Sequence, residues 1–93
     1  MEKTKTIIRI AGKEFAITGT DSEEHMQTVA AWVDRRMHEL YEMSRLPGAQ
    51  LAILTAVNAA DDMMKSRDEI LRLKRQIAEL QAEIEALKNG EQA

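Results

Sequence analysis

The stretch Ile70-Leu71-Arg72-Leu73-Lys74-Arg75-Gln76-Ile77-Ala78-Glu79-Leu80-Gln81-Ala82-Glu83-Ile84-Glu85-Ala86-Leu87 decides the architecture. Within it Ile70, Leu73, Ile77, Leu80, Ile84 and Leu87 alternate in steps of three and four, which is a heptad seam with Ile at a and Leu at d. That combination favours two parallel strands. The flanking positions agree. In a parallel, in-register pair the g position faces the following e position of the partner, setting Glu69 against Lys74, Gln76 against Gln81 and Glu83 against Lys88. An antiparallel pair would place Lys74, Gln81 and Lys88 against one another, and Glu69, Gln76 and Glu83 likewise. The seam therefore predicts a parallel homodimer with both head domains at the same end. Three heptads are marginal by themselves, so the residues before them must add to the association.

Moving outward from the seam, the chain contains neither glycine nor proline from Ala49 to Asn89. A helix of that length spans about 60 Å. A compact chain of this size would be only about 30 Å across. The expected division is a head domain at 1–48 and a long helix at 49–89. The proximal half of that helix packs on the heads, its distal half (about 63–88, opened by Met63) forms the coiled coil, and 90–93 is a disordered tail. In the proximal half Leu51, Ile53, Leu54, Ala56, Val57, Ala60 and Met63 cover more than one side, the mark of a helix surrounded by the hairpin, the first helix and the partner chain together. A weaker stripe of Met64, Leu71, Ala78 and Ala82, continued by Ala86, lies roughly 150° from the seam. It fits either alanine at exposed positions for helix propensity or a second contact by which two dimers join into a tetramer.

Before the long helix, Ile8 and Ile10 alternate with Arg9, and Phe15 and Ile17 alternate with Ala16 and Thr18. Gly12-Lys13 between the runs predicts a β-hairpin at about 6–18 with one apolar face. Such a hairpin is marginal alone, so that face must cover something. A helix at about 22–44 follows. Asp21, with Glu24 three residues on, is a plausible N-cap, and Ser22 and Ser44 also read as caps at its ends. Met26, Val29, Ala30, Val33, Met37, Leu40 and Tyr41 form its apolar stripe, and Leu46-Pro47-Gly48 ends it. The fold class expected is α+β: a hairpin-plus-helix head followed by one long C-terminal helix.

Composition narrows the function. The 93 residues carry 13 basic and 16 acidic side chains, a net charge of −3, which counts against non-specific binding to nucleic acid or an anionic membrane. Cysteine is absent, which excludes disulfides and thiolate metal sites. No apolar run approaches the ~20 residues that cross a bilayer, and no signal-type stretch follows the N-terminus, so a soluble cytoplasmic protein is expected. With only Phe15, Trp32 and Tyr41 as aromatic residues the core is thin, and oligomerisation is the expected reinforcement.

Nothing in the pattern assembles a catalytic or metal site. His25 and His38 lie well apart around their helix and read as solvated. Asp61 and Asp62 point about 100° apart and form no acid/base couple. No phosphate-binding glycine loop is present. The reading is a non-enzyme with no cofactor and no small-molecule substrate. The densest basic spot is Arg35-Arg36, with His38 and Arg45 nearby on the outer surface. It reads either as a solvated face with pairs such as Arg35–Glu39 or as a recognition face for an acidic partner. Lys13 at the hairpin tip, with Lys3, Lys5 and Arg9 on the strand, extends that face. Trp32, off the main stripe, plugs a groove or anchors a partner. Asn58 fixes register through a buried hydrogen bond or faces solvent.

Three stretches, in this order and at this spacing, carry a resemblance: Ile8-Arg9-Ile10-Ala11-Gly12-Lys13-Glu14-Phe15-Ala16-Ile17, Val29-Ala30-Ala31-Trp32-Val33-Asp34-Arg35-Arg36-Met37-His38-Glu39-Leu40 and Leu51-Ala52-Ile53-Leu54-Thr55-Ala56-Val57-Asn58-Ala59-Ala60-Asp61-Asp62. With the heptad tail behind them, the chain resembles the ZapA family of bacterial cell-division proteins, in its short, Bacillus-type form. The resemblance implies binding to the tubulin-like division GTPase FtsZ at the mid-cell ring and bundling of its protofilaments. It also implies head dimers followed by a coil, with two dimers joining through the coils. The mechanism expected is multivalency, several weakly binding heads coupled rigidly. The readings that remain beside it are a coiled-coil oligomeric adaptor and a nucleic-acid-binding regulator, each with a different partner.

Overall fold

The computed structural model describes residues 2–92, with side chains described as far as Gly90. Its order is β1 (Thr4–Ile10), β2 (Lys13–Gly19), α1 (Glu23–Ser44) and α2 (Gly48–Gln92). Two compact units result, residues 1–58 and the helical segment from Ala59 onward. The first unit thus runs into α2, ten residues beyond the head boundary expected at 48.

β1 and β2 pair antiparallel, with Ile10 opposite Lys13, Ile8 opposite Phe15 and Thr6 opposite Ile17. The connection is the two-residue turn Ala11-Gly12, and both residues have positive φ, 54° and 77°. This handedness matches the twist of the flanking strands. Glycine at 12 adopts it without strain, whereas alanine at 11 crowds its Cβ.

Opposite residues share a face, so Thr6, Ile8 and Ile10 lie with Lys13, Phe15 and Ile17. α1 packs on the β1 half of this face. Ile8, Ala30 and Leu40 are buried, joined by Leu51 from the start of α2. Thr6 is 1% exposed, and its hydroxyl has no hydrogen-bond partner among the described residues. Phe15, on the β2 half, stays exposed and Ile17 half-buried.

α1 begins at Ser22, not Asp21. Ser22 has extended backbone, and its Oγ accepts from the N–H of His25 at 3.1 Å. That satisfies one of the amides a first turn leaves open, while Glu23 and Glu24 complement the helix dipole. The helix closes at Arg45, which is left-handed (φ 58°) and whose N–H donates to the Tyr41 carbonyl. Along the expected stripe Ala30 and Leu40 are buried, Met26, Val33 and Met37 half-buried, and Val29 and Tyr41 exposed.

α2 is continuous from Gly48 to Gln92. Residues 90–92, expected in a disordered tail, belong to the helix, and Ala93 lies outside the described residues. Gly90 keeps a negative φ, so it does not form the left-handed stop that ends many helices. Near its start, Leu51 and Thr55 are buried and Leu54 and Asn58 half-buried, all on one side of the helix. Ile53 and Val57, on other sides of the helix, are exposed within one chain. The Oδ1 of Asn58 is buried and has no hydrogen-bond partner among the described residues.

Candidate functional site

The head is a scaffold in which α1 grips the hairpin at two points. The amide of Gln27 donates to the carbonyl of Ile7 at 2.8 Å. The carboxylate of Asp34 accepts from the N–H of Ala11 at 2.8 Å, so α1 holds the strained turn from below. Charge-assisted acceptance of a backbone amide is among the stronger hydrogen bonds. Sequence reasoning assigned neither residue a role. A side chain reaching a backbone atom twenty or more positions away leaves no periodic trace.

Two open pockets adjoin this grip. One, of about 340 Å³, is lined by Ala11, Asp34, Met37, His38, Tyr41 and Leu51. The other, of about 650 Å³, runs past Ile8, Phe15, Ile17 and Met37 to Ala49 and Ala52, with Lys13 as its one charged lining residue.

The basic residues singled out in the sequence occupy distinct settings. Lys13 is exposed at the hairpin turn and shares the apolar face of the sheet. Arg35 and His38 are exposed on α1, and His38 lines the smaller pocket. Arg36 is half-buried, stacks on Trp32 at 5.2 Å and lies 3.7 Å from the Glu39 carboxylate. Trp32, itself half-buried, thus carries a cation over its ring. Arg45 repeats the arrangement at the end of the helix, stacking on Tyr41 at 5.2 Å and pairing with Glu42 at 3.2 Å. Arg35 and His38 lie on one side of α1, while Arg36 is turned about 100° from Arg35 and Arg45 stands past the end of the helix.

In the helical unit the seam residues Ile70, Leu73, Ile77, Leu80, Ile84 and Leu87 are each 43–70% exposed within one chain. Met63, Met64 and Leu71 are exposed as well, as are Ala78 and Ala82. A row of large aliphatic side chains in water is a strong signal of an interaction surface. The charges beside the row pair along the helix. Lys65 donates to Asp61 at 2.8 Å, a contact that raises the lysine pKa. Glu69 accepts from Arg72, which lowers the pKa of the carboxyl and raises that of the guanidinium. These pairs are fully exposed and contribute little to stability. Among the described residues no group of histidine and acidic side chains could hold a metal ion, and no helix is long and apolar enough to cross a membrane.

A small α+β head continued by a long helix with an uncovered heptad row defines an association module. Comparison with known proteins gives the particular family. The family model described as cell division protein ZapA matches residues 7–90. A cell division protein ZapA of Bacillus licheniformis is 46% identical over 79 residues, covering 84% of this chain and 93% of the relative. The Bacillus subtilis ZapA is 42% identical with the same coverage. A solved ZapA mutant dimer from Geobacillus stearothermophilus matches with a TM-score of 0.67 and 40% identity, covering 83% of this chain and 91% of that one. The chain belongs to the ZapA family of cell division proteins, which is not a family of enzymes.

Proposed function

We propose that this chain binds FtsZ at the mid-cell division site in the cytoplasm and cross-links and bundles FtsZ protofilaments, as a non-enzymatic component that stabilises the division ring. The observation that carries the reading is family membership across residues 7–90, head and helix together. The exposed seam supports the assembly the mechanism requires. Ile70, Leu73, Ile77, Leu80, Ile84 and Leu87, opened by Met63, join two chains in a parallel coiled coil, and the solved dimer of a 40% identical relative supports self-association. Met64, Leu71, Ala78 and Ala82 then join two dimers. Each head makes a weak contact with a filament subunit, drawing on Lys13, Arg35, Arg36, His38 and Arg45. Coupling several heads raises the effective concentration for the next contact and holds neighbouring protofilaments together.

The test is pelleting of GTP-assembled FtsZ with and without the protein, with light scattering recorded alongside. Co-sedimentation with increased scattering is the expected outcome. Failure of a folded, oligomeric sample to pellet with FtsZ removes the reading and leaves an oligomer with another partner.

A further inference from the structure

Charge is distributed unevenly along the chain. Residues 2–20 hold four basic side chains, Lys3, Lys5, Arg9 and Lys13, against Glu2 and Glu14. From Asp21 to Arg45 three arginines meet six carboxylates, and from Asp61 onward the acidic side chains again outnumber the basic ones. The hairpin is thus a basic element in an acidic protein.

The pleat divides the hairpin's cations. Lys13 falls on the face shared with Ile8 and Phe15, whereas Lys5, Ile7 and Arg9 fall on the opposite face together with Glu14, Ala16 and Thr18. α1 covers the first face and leaves the second open. On the open face Arg9 is held by Glu14 at 3.0 Å. Lys5, and Lys3 just before the strand, have no ion-pair partner among the described residues. Between Lys5 and Arg9 stands Ile7, 51% exposed, with Ala16 as its cross-strand neighbour. On α1, by contrast, Arg36 and Arg45 each lie beside a glutamate of their own helix and over an aromatic ring. Cations already paired have less to offer an incoming carboxylate than unpaired ones.

The backbone beneath this face is fixed in advance. The Gln27 amide holds the Ile7 carbonyl, and Asp34 holds the turn that ends the strand. Little ordering remains to be done on binding.

We infer that the open face of the hairpin, with Lys5 beside Ile7 and Ala16 and with Lys3 one residue before the strand, is the docking surface for an acidic patch with a small apolar centre on the filament subunit. This rests on the FtsZ reading above and gives the main contact to the hairpin rather than to the arginines of α1. The two lysines set the rate and salt dependence of encounter, and Ile7 supplies the desolvated contact.

The test compares the wild-type chain with the double variant Lys3→Glu, Lys5→Glu and with Arg35→Glu, Arg45→Glu, in co-sedimentation with assembled FtsZ over a salt series. The hairpin variant is expected to lose roughly tenfold in apparent affinity and most of the salt dependence, with mass and circular dichroism unchanged. The α1 variant is expected to lose much less. Ile7→Thr should weaken binding several-fold and leave the salt slope in place. If wild type binds and the hairpin variant binds equally well, the docking face is wrong while the FtsZ reading stands. If wild type fails to pellet, both fall. If wild type instead binds RNA or anionic vesicles with a steep salt dependence that the lysine reversal abolishes, the face serves a polyanion and the protein-docking inference is overturned.

Discussion

Residues 1–58 bury Ile8, Ala30, Leu40 and Leu51 within a single chain, whereas every described residue from Met63 to Gly90 is exposed. Both regions are rich in aliphatic side chains. In the head α1 packs on the hairpin, and cross-contacts such as Gln27 to Ile7 and Asp34 to Ala11 fix the arrangement. In the distal helix the aliphatic side chains form one row on one element, and a single helix cannot bury its own row. The head is specified by contacts within the chain and the distal helix by contacts it has yet to make. Substitutions in the two regions should therefore fail in different ways.

The largest effect is expected from Ile84→Glu. A charge in the seam should abolish the oligomer and the bundling that depends on it, while the single head still folds and binds FtsZ weakly. Sedimentation velocity reads the mass and light scattering the bundling. Persistence of bundling in a monomeric variant would break the contrast between the regions. Next comes Leu40→Ala, which opens a cavity in a thin core and should cost about 2–4 kcal/mol in denaturant unfolding of the head. The oligomer mass should survive it under native conditions. Asp34→Ala removes the acceptor of the Ala11 N–H and should cost about 1 kcal/mol. Its signature is faster hydrogen exchange at the hairpin turn with little change along α2. The smallest effect has the opposite sign. Ala11→Asn replaces a residue strained at positive φ by one that tolerates it and should add about 0.5–1 kcal/mol. A neutral result would mean that Asp34 already offsets the strain.

Much of the fold was legible because it is periodic. Ile8, Ile10, Phe15 and Ile17 at period two, the α1 stripe at 3.6 and the seam at 3.5 each repeat enough to be read, and the elements lie where those repeats place them. The misreadings fall at ends, where one residue decides. Asp21 and Ser22 are both good caps, and only backbone geometry assigns the role to Ser22. Gly90 fits a stop signal, yet the helix continues through it because glycine permits a left-handed turn without requiring one. For the candidate site, sequence located the basic residues but not their surroundings. That Arg36 and Arg45 each sit over a ring beside a glutamate, while Lys5 stands on an open face, depends on rotamers and on which side of the sheet α1 covers. Gln27 and Asp34 were invisible for a related reason: one contact spanning the fold has no repeat.

The grip of Gln27 on Ile7 also bears on how far the sheet can extend. In a hairpin closed at Ile10 and Lys13, the backbone groups of Lys5, Ile7 and Arg9 point away from one edge and those of Glu14, Ala16 and Thr18 away from the other. The first edge has α1 packed beside it and the central carbonyl already taken. The second has no hydrogen-bonding partner among the described residues. Fibril growth needs two usable edges per unit, one to receive a strand and one to offer the next. A sheet with one usable edge can pair once and then stops. That limits edge-to-edge growth however closely copies of the chain are crowded together.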